Sequence, residues 1–428
     1  MRIGSFTPPA SWGTRSQIGG TVAELKDVLG NQDGLWHNEA RAAGTAGDVL
    51  DRNPLASKLA RFAGVGASVD DEMKLLAAFT AEREATWGRK VTELDVGALR
   101  GGELFAAQKA IALTRYGRTP NDVTEGFVKA SGSVAGEAIA PREVFWQRWK
   151  PTAAPSGKVV VVSPGFQETG RNFYEQIAKL NALGHDVIVM DHQWAGQTRG
   201  GSAGGLDRGF GVARDVAAVA AFAEEVRRAD HGDKAGSEVV LFGNSMGAGP
   251  GVLGALTLND QGLIDLGDGA RMPKGLKAVL QAPFLAATDN VVNDVLAFAS
   301  GLPFVNRLKA PSLGVPVLTT DAVGAEKGAQ AAVLEDVRAQ TQAMGAAGED
   351  LEKILALIAE GRGPSGKLFV VHGDDDPLAS PEKARWLAGA LGEQVTLRMI
   401  DSDNHVLALN PGEQDLAVEG LEGLLSGE

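Results

Sequence analysis

The chain has no cysteine in its 428 residues, which excludes disulfides, thiolate metal sites and cysteine nucleophiles. It also lacks a basic excess: 41 Lys and Arg stand against 54 Asp and Glu, for a formal charge of −13. A general nucleic-acid binder needs clustered positive charge, and tight adsorption to anionic lipid needs the same, so neither partner class is expected. No uninterrupted apolar run reaches the ~18 residues of a membrane-spanning helix. Residues Met1 to Pro9 show no basic stretch followed by a long apolar core, so no secretory signal is read there. The expected location is therefore cytoplasmic. With 44% apolar and 22% charged residues, the composition suits a globular protein with a sizeable core. The length admits two or three domains, or one large domain with an insertion.

The texture changes along the chain. Residues 1 to about 20 are rich in Gly, Ser, Thr and Pro and read as a tail. Apolar residues at helical spacing follow between about 54 and 90, and again from Leu104 to about Tyr116. Ser131 to Gly136 reads as a linker. Beyond it, strands are expected at 144–149, 158–162, 186–191, 237–242, 276–281, 367–371 and 395–400. Helices are expected at about 173–183, 212–228 and 414–425. Short β-branched runs alternating with helical runs predict a parallel α/β sheet with helices on both sides. The rhythm breaks once. Roughly 80 residues separate the strands ending at Gln281 and starting at Lys367, far more than an ordinary crossover. They hold expected helices at about 291–300, 330–344 and 349–359, which read as an inserted helical cap. Within it Leu351, Ile354, Leu355 and Ile358 form an apolar stripe at i, i+3, i+4 and i+7. Such a stripe fits an acyl-chain pocket less well than packing on the core.

The chemistry concentrates in Gly243-Asn244-Ser245-Met246-Gly247. This G-x-S-x-G follows an apolar β-type run and precedes a run of small residues compatible with a helix. Strand, tight turn, serine and helix are the context of a nucleophile elbow. The glycines flank a turn that strains the serine backbone and lifts its hydroxyl above the sheet end. A serine hydroxyl is a weak nucleophile until a base takes its proton. Of the six histidines, His37 lies in the motif-poor first region, and His185 and His231 precede strands, at the wrong end of the sheet. His192 precedes the serine, and His372 ends a strand in a common structural position. His405 follows the last strand and the nucleophile, in the order this arrangement requires. The acid that orients it is expected to be Asp376, with Asp403 and Asp401 as weaker rivals. Asp374 and Asp375 read as a solvated acidic turn. Donors for a developing oxyanion are expected from the backbone N–H of Met246 and of Phe166, the latter in the loop Ser163-Pro164-Gly165-Phe166-Gln167-Glu168.

These pieces together are specific. From about Val144 onward the chain resembles monoacylglycerol lipases, lysophospholipases and related carboxylesterases of the α/β-hydrolase superfamily. The residues that carry this are Trp149-Lys150-Pro151, Gly165 to Glu168, Asp191-His192-Gln193-Trp194-Ala195-Gly196, the elbow, His372 to Asp376, and Asn404-His405-Val406-Leu407. The resemblance implies Ser245, Asp376 and His405 as a triad, Phe166 and Met246 as an oxyanion hole, and the long insertion as the cap. One departure stands out: the oxyanion loop of such proteins begins His-Gly, whereas here it is Ser163-Pro164-Gly165. That puts the local hydrogen bonding in question.

The expected architecture is an α/β-hydrolase fold with a mostly parallel sheet. Residues 136–284 and 366–428 would form the catalytic domain, 285–365 the cap, and 1–135 a helical extension. The expected activity is ester hydrolysis of a monoacylglycerol, a lysophospholipid or another medium-chain acyl ester, through an acyl-enzyme and without a cofactor or metal. A peptidase or amidase on the same scaffold is the nearest alternative. A non-catalytic binding protein is the alternative from another class.

Overall fold

In the computed structural model the described residues are 122–165, 168, 170–192, 198–200, 210–232, 234–267, 269–287, 337–376, 378–402, 405, 407 and 413–427. The expected helices before residue 122, the one at 291–300, and Phe166 and Asp403 lie outside them.

The centre of the fold is a run of strands too apolar to face water on either side. β5 (Lys158–Ser163) and β6 (Asp186–Met190) are buried almost throughout, as are β8 (Glu238–Asn244), β10 (Lys277–Gln281) and β11 (Leu368–Gly373). Such strands need helices on both faces. They are parallel in the order β6-β5-β8-β10-β11, and β12 (Val395–Ile400) closes one edge, also parallel. At the other edge β4 (Arg142–Trp149) runs antiparallel to β6, and β1 (Val123–Ala130) antiparallel to β4. The two-residue β7 (Arg199–Gly200) also pairs with β4. The sheet is thus mixed and mostly parallel. A small antiparallel sheet of β2 (Ser133–Val134), β3 (Glu137–Ala138) and β9 (Ile264–Asp265) sits beside it.

Two expectations change here. Residues 123–130 belong to the main sheet rather than to a helical region ending at 135. Ser131–Gly136, read as a linker, is a β-turn region whose strand β2 pairs with β9. Polar residues within β1, such as Glu125 and Lys129, hide the strand in sequence and suit an edge that must not recruit another chain.

Helices cover the two faces. α1 (Tyr174–Ala182) and α6 (Glu413–Ser426) share one: Lys179 pairs with Asp415 at 2.5 Å, and Gly420 rides directly on the Phe369 ring. α2 (Gly211–His231), α3 (Gly254–Asp260) and α5 (Pro381–Leu391) pack on the other. Alternate strand residues divide between the faces. Val159, Val161, Val239, Leu241, Ala278 and Leu280 join the α2 side.

A third change concerns the insertion. Residues expected as two cap helices, 330–344 and 349–359, contribute a single helix, α4 (Val337–Ala359). Its stripe packs on the body of the fold: Leu351, Ile354 and Ile358 are buried in the core with α2 and α3, and Leu355 packs against them. A Cβ on Gly254 would lie 2.8 Å from Ile354 Cδ1, so α3 and α4 approach closely. Asp350 accepts a hydrogen bond from Phe210 N at 2.8 Å, fastening α4 to the start of α2. Truncating Ile354 to alanine would cost about 2–5 kcal/mol. The C-terminal part of α4 is therefore the crossover helix between β10 and β11. Among the described residues, no helix is long and apolar enough to cross a membrane.

The strand order reverses direction at β5: the chain passes from β5 to β6 on one side, then to β8 on the other. Open α/β sheets bind ligands outside the carboxyl ends of the strands at such a switch point. The loops that follow β5 and β8 flank it.

Candidate active site

β8 delivers Ser245, and the turn after it is strained. Ser245 has φ +50°, a left-handed conformation that costs a non-glycine residue about 1–3 kcal/mol. Two missing side chains let the turn close. A Cβ on Gly243 would lie 2.6 Å from Ala248 Cα, and one on Gly247 would lie 2.2 Å from Pro164 O. Met246 caps a π-helical turn (Gly247–Leu253) that runs on into α3. The first N–H groups of a helix have no acceptor within it and favour negative charge at that end. Pro250 lies inside this turn. A five-residue turn would direct the N–H of position 250 to Ser245 O, and proline has none. Ser245 O instead accepts from Phe284 N at 3.0 Å, which ties the elbow to the chain leaving β10.

The loop after β12 brings His405 to this turn. Its Nε2 is 2.7 Å from Ser245 Oγ, and its Nδ1 is 2.7 Å from Asp376 Oδ2. Asp376 follows β11, and its other oxygen accepts from Leu378 N at 2.8 Å and Ala379 N at 2.9 Å. An ionised carboxylate only accepts, so the ring hydrogen sits on Nδ1 and Nε2 faces the serine hydroxyl as an acceptor. All three side chains are buried, with Ser245 the most exposed at 5%. Burial opposes a charge on His405. The Asp376 carboxylate, through its field and its hydrogen bond, and the field of Glu168 outweigh burial and hold the ring's pKa above the ordinary histidine value.

The rival acids separate by burial. Asp374 and Asp375 are exposed; Asp374 Oδ1 accepts from Ser402 N at 3.1 Å, a bond that joins the loop after β11 to the loop after β12. Asp401 is also exposed. His372 is buried, bonds its neighbour's Gly373 O at 2.8 Å, and is held below the ordinary histidine range chiefly by burial. His185 lies at the opposite end of the sheet, before β6. Met246 follows Ser245 at the start of the helix.

Two features of the loop after β5 were invisible in sequence. The first answers the missing His-Gly. Ser163 Oγ donates to Gly247 O at 3.2 Å and lies 3.0 Å from His192 Nε2, which then donates to it. Burial and the Arg142 charge push His192 down to about 3, so it stays neutral at working pH. A serine and a distant histidine thus join the loop to the elbow. The second is Glu168, whose side chain is buried. It accepts from Gly165 N at 2.5 Å, and from Asn244 Nδ2 at 3.1 Å and 2.9 Å through its two oxygens. Burial raises its pKa, and these donors and His405 work against the rise. The residue stands within the loop motif, but no local pattern announces that it turns inward.

The family model described as "Serine aminopeptidase, S33" matches residues 154–412, more than half of the chain. A comparison with curated protein sequences finds no match. Solved structures similar to this chain include a soluble variant of monoglyceride lipase from Saccharomyces cerevisiae in complex with a substrate analog. It is 14% identical, with 69% of this chain and 96% of that one covered and a TM-score of 0.42. An esterase from Pyrococcus furiosus is 13% identical, covering 72% and 92%, with a TM-score of 0.39. The enol-lactonase from Burkholderia xenovorans LB400 is 17% identical, covering 69% and 99%, with a TM-score of 0.41. With its strand order, its strained serine turn and the match over 154–412, the chain belongs to the serine aminopeptidase S33 family of the α/β-hydrolase superfamily and is a hydrolase of that class.

Proposed function

We propose that the protein hydrolyses carboxylic esters through an acyl-enzyme on Ser245. Ser245 Oγ attacks the ester carbonyl while His405 Nε2 takes its proton, and Asp376 holds the ring in the required tautomer and stabilises its charged form. The tetrahedral oxyanion is received by the N–H of Met246 and that of Phe166. His405 then gives its proton to the leaving alkoxide, activates a water against the acyl-enzyme, and returns the serine with release of the acid. The observation that supports this most directly is the unbroken Ser245–His405–Asp376 hydrogen-bond chain, with both links at 2.7 Å.

The family description also names an aminopeptidase, and an amide reading needs an acid to hold the substrate's ammonium group. Among the described residues, the two buried acids at the site, Asp376 and Glu168, already accept from backbone, His405 or Asn244 donors. That favours the ester. The substrate class we propose is a monoacylglycerol, a lysophospholipid or another medium-chain acyl ester. The test is turnover of p-nitrophenyl esters from acetate to palmitate beside aminoacyl anilides, with Ser245→Ala as the control. Ester turnover that vanishes in the variant upholds the reading. Serine-dependent cleavage of the anilides alone would replace it with an aminopeptidase, and activity retained by the variant would sink the assignment of Ser245.

A further inference from the structure

Glu168 performs no step in the mechanism above, yet it is a buried carboxylate beside the reacting groups. It reaches two different segments. Its Oε2 meets Gly165 N in the loop that carries the expected oxyanion donor, and both of its oxygens meet the Asn244 amide, one residue before the nucleophile. The space between is tight: a Cβ on Gly165 would lie 2.7 Å from Glu168 Oε2 and 3.0 Å from Ser245 Cβ. Among the described residues, Asn244 Oδ1 has no hydrogen-bond partner, so Glu168 is the only anchor this side chain has. Among the described residues, Glu168 accepts in each of its hydrogen bonds, so the geometry suits a carboxylate rather than a carboxylic acid.

We propose that Glu168 is a positioning residue for ester hydrolysis, one buried negative charge that clamps the oxyanion loop to the nucleophile elbow and supports the positive charge His405 acquires during the reaction. This rests on the reading of Ser245 and His405 given above. The clamp fixes Gly165, the residue before the proposed donor Phe166, against Asn244, the residue before Ser245, and in such a site small displacements cost large factors in rate. The charge acts together with Asp376, which bonds His405 directly. Among the described residues His372, at the end of β11, also faces the pair, with Arg385 on α5 acting on His372. Neither is anionic; Asp376 and Glu168 are the negative charges that act on His405.

The experiment is the rate of Ser245 labelling by a fluorophosphonate as a function of pH, which needs no knowledge of the natural substrate. Wild type is compared with Glu168→Gln, with Asn244→Ala, and with the exchange Glu168→Gln/Asn244→Asp, using Ser245→Ala as the blank. Labelling requires neutral His405, so its acid limb reports that ring. Glu168→Gln keeps an acceptor for Gly165 N but removes the charge. It is expected to lower the plateau about tenfold and to move the acid limb about 0.5–1 pH unit lower. The exchange restores a carboxylate and an amide in reversed positions and should return the limb toward wild type. Asn244→Ala loosens the clamp but keeps the charge, so its plateau falls and its limb stays.

A Glu168→Gln variant with wild-type rates, or with a lowered plateau and an unmoved limb, overturns the proposal. So does an Asn244→Ala limb that shifts, which decides the matter even if Glu168→Gln does not fold. Wild-type protein that folds but never labels overturns the reading of Ser245 itself, and this inference with it.

Discussion

Among the described residues, serine, histidine and carboxylate are linked in a row at each end of the sheet. At the carboxyl ends of the strands, Ser245, His405 and Asp376 are linked at 2.7 and 2.7 Å. At the amino ends, Ser156, His185 and Glu422 are linked at 2.8 and 2.5 Å. Distances alone do not tell them apart; their surroundings do. Ser156 is exposed in a turn where its Oγ already accepts from Lys158 N at 3.1 Å, and it meets His185 through Nδ1. Its backbone is not in the left-handed region, no helix starts after it, and Glu422 is 43% exposed. Ser245 sits on a strained turn at a helix start, and Asp376 is shut away from water. Side chains at hydrogen-bonding distance are common products of a packed surface. On the reading proposed above, the strained turn and the buried acid are what set the inner trio apart for acyl transfer.

The comparison breaks or stands on paired substitutions. Ser245→Ala should lower kcat by about 10⁴–10⁶-fold, leaving only what the donors contribute. Ser156→Ala should leave ester turnover unchanged and stability within about 0.5 kcal/mol. Comparable losses from both, measured on one ester, would mean that the distances mattered and the surroundings did not. Asp376→Asn comes next, at about 10⁴-fold in kcat, because an amide facing His405 Nδ1 favours the wrong tautomer. Glu422→Gln at the other end should leave the rate untouched. A smaller effect is seen in pH. Because the His405 pKa is raised, the neutral base is lost early as pH falls, so kcat/KM should decline through a value above the ordinary 6.5. An acid limb at or below that value would remove the two carboxylates from the account of His405.

Much of this was legible in the chain, for local reasons. β5 and β8 are short apolar runs bounded by turn residues, and the elbow announces itself through Gly243, Ser245 and Gly247 at fixed spacing. Chain order points to His405 once Ser245 is placed, but it leaves Asp403 and Asp401 beside Asp376 as candidates for the acid. What stayed hidden depends on distant partners. β1 does not read as a strand because Glu125, Gly126 and Lys129 interrupt its apolar residues; it exists because Gly126 lets the chain lie on Trp146, where a Cβ would be 2.9 Å from Cζ2. α4 reads as two helices because Gly345 and Gly348 each cost about 1 kcal/mol in a helix, yet the helix runs through both, and its C-terminal half is fixed on the core by Leu351, Ile354 and Ile358. Glu168 and Asn244 are 76 residues apart, and nothing near either marks it as buried. The pairing of Ser163 with His192 spans 29 residues in the same way.

The smallest expected effect is the most demanding test of the comparison. Glu422→Ala removes the carboxylate from the outer trio and leaves His185 Nε2 without its acceptor. His185 itself is buried at 3%, which on its own would suggest a costly vacancy. The partner side is open, however, since Glu422 is 43% exposed and water can take the place of its carboxylate. A carboxylate contact this open to water contributes about 0.2–1 kcal/mol and is screened by salt. His185 also remains held through Ser156 and through its backbone O, which accepts from Asn181 Nδ2 at 2.9 Å. Thermal denaturation should therefore shift by no more than about 2–4 °C, and less in high salt. Ester turnover at 25 °C should be that of wild type. A melting shift several times larger would show that α6 depends on this contact for its hold on the sheet. A loss of turnover would tie the outer trio to the site at the far end of the strands, and the two could no longer be treated as independent.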